Sequence, residues 1–208
     1  DLLEMIRAAQ RGHALSEGLF DPAAGKLIGA WGFHTSDYPV RAHALSGKRV
    51  RELVAQAPSM RDIRVAAEGT VSSRNASAQL DLNALAEGYA ARQVRDLLQA
   101  RGLDDALVYI GGFVLARGNG AHGPWRVGVR GPDGLLGSVE MRDGEALSSS
   151  GDYLRRRSDT QGGHIADPRS GRPQRISAAS AVLSDDPVLA DMAATALMTG
   201  VTPKRIIA

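Results

Sequence analysis

Apolar residues recur along the chain at two periods, and the switches between them predict most of its elements. Leu2, Leu3, Ile6 and Ala9 keep helical spacing and meet Gly12, which predicts an opening helix of about three turns, ending before the turn Phe20-Asp21-Pro22. Residues 20–43 carry Gly, Pro and aromatics without periodicity, the pattern of a folded loop. A helix follows at 49–57, then short strands at 63–67, 70–73 and 77–80 between turn signals. A long helix runs from about 82 to 101, with Leu82, Leu85, Tyr89, Val94, Leu97 and Leu98 as its buried stripe and Gly102 as its stop. Strands are then expected at 106–110, 114–117, 125–130, 136–141, 146–149 and 178–183. The last helix begins with Asp185 and Asp186 as caps and Pro187 in its first turn, and Gly200 ends it. The strands from 106 to 149 follow one another too closely for helical crossovers. The expected class is therefore α/β (α+β), with mixed or antiparallel strands and flanking helices.

Composition narrows the classes. The 208 residues are 43% hydrophobic and carry a net charge of +2, which suits one sizeable core and does not demand a nucleic-acid partner. There is no cysteine, which excludes disulfides, thiolate metal sites and a cysteine nucleophile. No apolar run reaches the length of about 18 residues that a membrane helix needs, and residues 1–7 lack the charged start and apolar centre of a signal peptide.

Several residues could carry chemistry, each with a plainer reading beside it. Asp191 and Thr195 stand four apart in the last helix, so both oxygens fall on one face and could serve a hard cation such as Mg2+; a solvated helix face is the plain alternative. Asp81, where a strand passes into a helix, either caps free amides or faces a ligand. Gly111-Gly112 after a strand exposes amides to a phosphate, or simply turns the chain. His164 stands beside the turn Asp167-Pro168-Arg169-Ser170-Gly171, as a structural imidazole or as a base with a pKa near neutrality. Arg155, Arg156, Arg157, Arg169, Arg172 and Arg175 form a basic belt in sequence, either solvated or suited to a pyrophosphate or an acidic partner.

These segments occur in a fixed order: Leu19-Phe20-Asp21-Pro22, Trp31-Gly32-Phe33, the stretch from Leu80-Asp81 to Glu87-Gly88-Tyr89, Val108-Tyr109-Ile110-Gly111-Gly112, Ser148-Ser149-Ser150-Gly151-Asp152-Tyr153, Gly163-His164-Ile165-Ala166-Asp167-Pro168, and Asp191 to Thr195. Together they resemble the ApbE family of flavin transferases, the FAD:protein FMN transferases, over about residues 1–200. The resemblance implies an ApbE-like fold and a Mg2+-dependent transfer of FMN from FAD to a threonine hydroxyl of an acceptor redox protein that carries a Ser/Thr-containing motif, with release of AMP. It implies Asp191, Thr195 and the backbone of Ala84 as metal ligands, Asp81, Glu87, Gly111, Gly112 and the backbone at Ala166 as FAD contacts, and His164 as the proton-transfer residue.

The sequence departs from the family at three of these places. Glu87 stands where many members have lysine, Phe113 where an acid commonly follows the glycine pair, and Ala194 where certain members have a second acid. An early flavin-contacting methionine of the family has no counterpart here, so the expectation is a single domain over residues 1–208, shorter than the family at both ends. The resemblance also implies a periplasmic or cell-envelope location, with membrane association only through an N-terminal anchor absent from these residues. Phe113 supports an alternative in which the protein holds FAD without transferring it, and the arginines support a polyanion-binding module.

Overall fold

The computed structural model describes residues 1–41, 45–159, 162–173 and 179–202. Helix α1 (Leu2–Leu15) starts where the Asp1 side chain accepts from the Glu4 amide. It continues through Gly12 because that glycine is a packing position: a Cβ there would lie 2.7 Å from Met192 Sδ and 3.1 Å from Phe20 Cδ1. Residues 20–43 are not all loop, since α2 (Gly25–Ala30) forms within them. A helix of six residues leaves too short a repeat for periodicity to register. Helix α3 (Gly47–Ala55) is capped by Ser46 and leads to a 3-10 turn at Met60–Asp62.

Strands β1 (Ile63–Val65) and β2 (Val71–Ser73) form a small antiparallel hairpin. The strand expected at 77–80 is absent. That segment instead lies along residues 22–25 through a single bridge, with Gly25 N donating to Gln79 O at 2.8 Å and Asp81 N to Pro22 O at 2.8 Å.

Helix α4 (Asn83–Ala100) buries Leu85, Gly88 and Ala91, whereas Leu97, expected in the buried stripe, is 53% exposed. Strands β3 (Ala106–Ile110), β4 (Phe113–Arg117), β7 (Ala146–Gly151) and β8 (Ala179–Ser184) make one antiparallel sheet in the order β3-β4-β7-β8. Strands β5 (Trp125–Gly131) and β6 (Gly134–Met141) form a separate hairpin. Residue 178 of the last expected strand lies outside the described residues.

The sheet is covered on both faces. Phe113 and Leu115 of β4 pack with Ala91 of α4 and with Ala190 of the last helix, α5 (Pro187–Met198). Their neighbours Val114 and Ala116 turn the other way, onto Trp125, Val127 and Val139 of the hairpin. The period-2 alternation of a strand explains why β4 is almost wholly apolar. No helix among the described residues is long and apolar enough to cross a membrane.

Helices α4 and α5 pack tightly at Gly88. A Cβ at that position would run into the Pro187 carbonyl oxygen and lie 2.9 Å from Asp191 Cβ. Gly88→Ala is therefore expected to destabilise the fold by about 1–3 kcal/mol, the usual range for overpacking. Gly137→Ala, at a site with nothing within 4 Å, should stay within about 0.5 kcal/mol; urea unfolding of both variants measures the contrast.

Candidate active site

One cavity of about 940 Å³ gathers residues from α2, α4, α5, the β3–β4 turn, β7 and the segment around His164. Asp191, Thr195, Ala84, Glu87, Asp81, Gly111, Gly112, His164 and Ala166 all line it, so a set spread over more than a hundred positions of sequence converges on one space.

Asp191 does not sit on a solvated face: it is 6% exposed. The Gly88 amide donates to its Oδ2 at 2.9 Å and the Ser148 hydroxyl to its Oδ1 at 3.2 Å. Burial pushes its carboxyl up to about 6; the two donors resist that rise, and the charge of Glu87 adds to it. One turn further along α5, Thr195 Oγ1 lies 3.5 Å from Ser150 Oγ.

Ser148 and Ser150 lie in a segment that carries the family resemblance but receive no role from sequence, although a signal for one exists. Two residues along a strand advance about 6.7 Å on one face and four along a helix about 6 Å, so i, i+2 hydroxyls on β7 match i, i+4 oxygens on α5. Ser149, between them, points the other way and donates to the Gly112 carbonyl at 2.9 Å.

Ala84 precedes Gly88 by one helical turn. In a regular helix its carbonyl accepts the Gly88 N–H, the same N–H that here is drawn to Asp191, and a carbonyl keeps a second lone pair in any case. A carboxylate, a hydroxyl and a backbone carbonyl are the oxygen ligands a hard divalent cation takes, with the rest of its shell left to phosphate and water. No group of three His, Cys, Asp or Glu suited to a metal occurs among the described residues. A cation beside Asp191 would also favour the ionised form that burial disfavours.

Asp81 is not the helix cap proper, since Leu82 holds that position. Its Oδ1 accepts from the Asn83 amide at 3.1 Å and its Oδ2 from His34 Nε2 at 3.2 Å. The Glu87 carboxylate lies against Gly111, whose φ of +61° and missing side chain make room for it. Phe113 is wholly buried between the sheet and the helices and does not line the cavity, so the departure there alters the core and not the cavity wall. Near Ala166 the chain is held by Asp167, which binds Arg169 through both oxygens at 3.0 Å.

His164 sits against Phe33, with ring centroids 6.3 Å apart and an edge-on angle of 69°. Its Nδ1 is buried without a hydrogen-bond partner among the described residues. Burial and then the charge of Arg155 lower its pKa to about 4, against the opposing pull of the Arg155 backbone and Asp81. The imidazole is thus neutral at physiological pH, with acceptor capacity unspent.

The described arginines of the belt have different surroundings. Arg157 is fully buried, binds Asp159 at 2.7 Å and the Trp31 carbonyl at 2.6 Å, and lies over the Trp31 ring. Arg156 is turned onto Asp152 and Arg169 onto Asp167, Arg155 alone of the described belt residues lines the cavity, and Arg175 lies outside the described residues.

The turn at Asp21 is likewise held by its own hydrogen bonds. Its Oδ1 accepts from the Met60 and Ala23 amides, and its Oδ2 lies 3.2 Å from Nε2 of the buried His13.

Because the pKa of His164 is lower folded than unfolded, the unfolded chain binds more protons between about pH 4 and 6.5. This residue's contribution to stability therefore rises with pH across that window and is lost as the pH falls through it. Imidazole NMR should show His164 titrating near pH 4, and His164→Gln should flatten the acid side of the stability profile.

Comparison with known proteins bears on the family and the fold. The FAD:protein FMN transferase of Rhodobacter capsulatus is 43% identical over 202 residues, covering 93% of this chain and 38% of that protein. The enzyme of that name from Vibrio cholerae is 29% identical over 204 residues, covering 94% of this chain and 60% of its own. The chain thus spans less than two thirds of either relative. Among solved structures, the flavin transferase ApbE from Vibrio cholerae superposes with a TM-score of 0.83 at 28% identity, over 98% of this chain and 65% of that one. The ApbE protein of Thermotoga maritima gives 0.87 at 26% identity, over 99% and 68%. The helices and antiparallel sheet that build the cavity are shared with these structures, the ApbE family profile matches residues 1–206, and the chain belongs to the ApbE family.

Proposed function

We propose that the cavity binds FAD with Mg2+ and transfers FMN to a threonine hydroxyl of an acceptor flavoprotein, releasing AMP. The observation that carries this reading is the pairing, in one cavity, of a buried carboxylate–hydroxyl–carbonyl oxygen set at Asp191, Thr195 and Ala84 with a neutral His164 whose Nδ1 is unpartnered. The names of the relatives, FAD:protein FMN transferase, support the same reaction.

In this reaction the acceptor oxygen attacks the FMN phosphorus, the bond from that phosphorus to the bridging oxygen breaks, and AMP departs with the electron pair. His164 takes the hydroxyl proton, which a neutral imidazole can do and an imidazolium cannot. Asp191, Thr195 and the Ala84 carbonyl would hold the Mg2+, which when bound offsets charge on the pyrophosphate. Asp81 and Glu87 offer acceptors to donors on the nucleotide, and the Gly111-Gly112 turn lets its backbone approach closely. The enclosing wall of Phe20, Leu27, Ile28 and Phe33 limits water, which would otherwise compete with the acceptor hydroxyl.

The test is incubation with FAD, Mg2+ and an acceptor domain carrying the threonine motif, followed by AMP release and the mass of the acceptor. The expected outcome is FMN on the acceptor, abolished by EDTA. Asp191→Ala should slow transfer about 100-fold or more, and His164→Gln by about 100- to 10,000-fold. Tight FAD binding with neither AMP nor labelled acceptor would instead mark a flavin-holding protein.

A further inference from the structure

We propose that His34 is a positioning residue that fixes the Asp81 carboxylate in the cavity wall for a hydrogen-bond donor of the bound nucleotide. The inference rests on the FAD reading above and concerns a residue outside the set assigned to that site. Asp81 lines the cavity and His34 does not: their side chains are 15% and 39% exposed, and His34 Nε2 reaches Asp81 Oδ2 at 3.2 Å from the solvent side. A carboxylate offers about four acceptor positions. The Asn83 amide and His34 take one on each oxygen, which locks the group in one orientation and leaves the other positions for a ligand.

The imidazole is seated rather than loosely placed. A Cβ at Gly29 would lie 2.8 Å from His34 Nδ1 and 3.1 Å from its Cε1, so the bare backbone of α2 is what lets the ring lie there. The segment leading to it is anchored by Trp31, whose Nε1 donates to the Gly171 carbonyl at 2.8 Å and whose own carbonyl accepts from Arg157. Two consecutive residues of this anchored segment meet two residues of the cavity, Phe33 against His164 and His34 against Asp81. The segment therefore aligns both groups, Phe33 from within the cavity wall and His34 from behind it.

The experiment measures FAD affinity by flavin fluorescence for the wild-type chain, His34→Ala, His34→Phe and His34→Gln, each alone and with Asp81→Asn. His34→Phe keeps a ring on Gly29 without a donor, and His34→Gln restores an N–H. Expected are a roughly tenfold weaker Kd for His34→Ala and His34→Phe, recovery to within about threefold in His34→Gln, and no further weakening from any His34 change once Asp81 is Asn. Wild-type affinity in His34→Phe, or an equal loss with and without the Asp81 carboxylate, would overturn the proposal and leave the FAD reading standing. A wild-type chain that binds no FAD would overturn both.

Discussion

The hydrogen bond from the Gly88 amide to Asp191, made across a close approach of α4 and α5, is the contact on which the geometry of the cavity depends. It needs a glycine on one helix, since any side chain would meet the Pro187 carbonyl, and a short acid on the other. It brings the first turns of α4 and the middle of α5 to the same wall, and so fixes Ala84, Glu87, Asp191 and Thr195 relative to one another. The sheet then follows, because β7 must lie where Ser148 and Ser150 reach Asp191 and Thr195. This arrangement carries an electrostatic penalty. Two donors do not fully compensate a carboxylate removed from water, and its raised pKa is the measure of what remains.

Buried polar groups in this protein fall into two kinds, and the difference separates structure from chemistry. Asp21, Arg157 and Asp167 each engage several partners and hold turns in place. They fix the 3-10 turn, the Trp31 segment and the chain beside Ala166. Asp191, His164 and Asp81 are under-satisfied in comparison: one is displaced in pKa, one has an unpartnered nitrogen, and one has acceptor positions to spare. Under-satisfaction inside a cavity is what a binding site requires, because a ligand gains only from groups the protein has not already paired. Asp152 is the exception outside the cavity, with an Oδ1 that makes no hydrogen bond but stands 3.6 Å from the Arg156 guanidinium.

Much of the architecture was legible along the chain, for reasons that vary by element. The α5 start was legible because Asp186 caps the Val188 and Leu189 amides ahead of Pro187, a local matter. The strands from 106 to 149 declared themselves by their Gly-rich connections, whose shortness left mixed or antiparallel pairing, and the structure shows antiparallel pairs. Helix α2 was hidden because six residues give no period, and Gly12 was misread as a stop because its role is to admit Met192 and Phe20 from distant sequence. The arginine run looked like a surface belt because sequence adjacency says nothing of partners such as Asp159 and Trp31.

The sequence by itself determined the class of fold and most of the order of its elements, because capping and periodicity are properties of neighbouring residues, and its resemblance to the family named residues that the structure places around one cavity. Only the tertiary structure decided what each of those residues is. Asp191 became an acid with a raised pKa because packing takes it out of water faster than its donors Gly88 and Ser148 compensate, Phe113 became core because β4 is covered on both faces, and His34 became a partner of Asp81 because Gly29 leaves room for its ring. Desolvation and pairing arise from contacts between segments far apart in the chain, and those contacts set the charge state and reach of every group in the site.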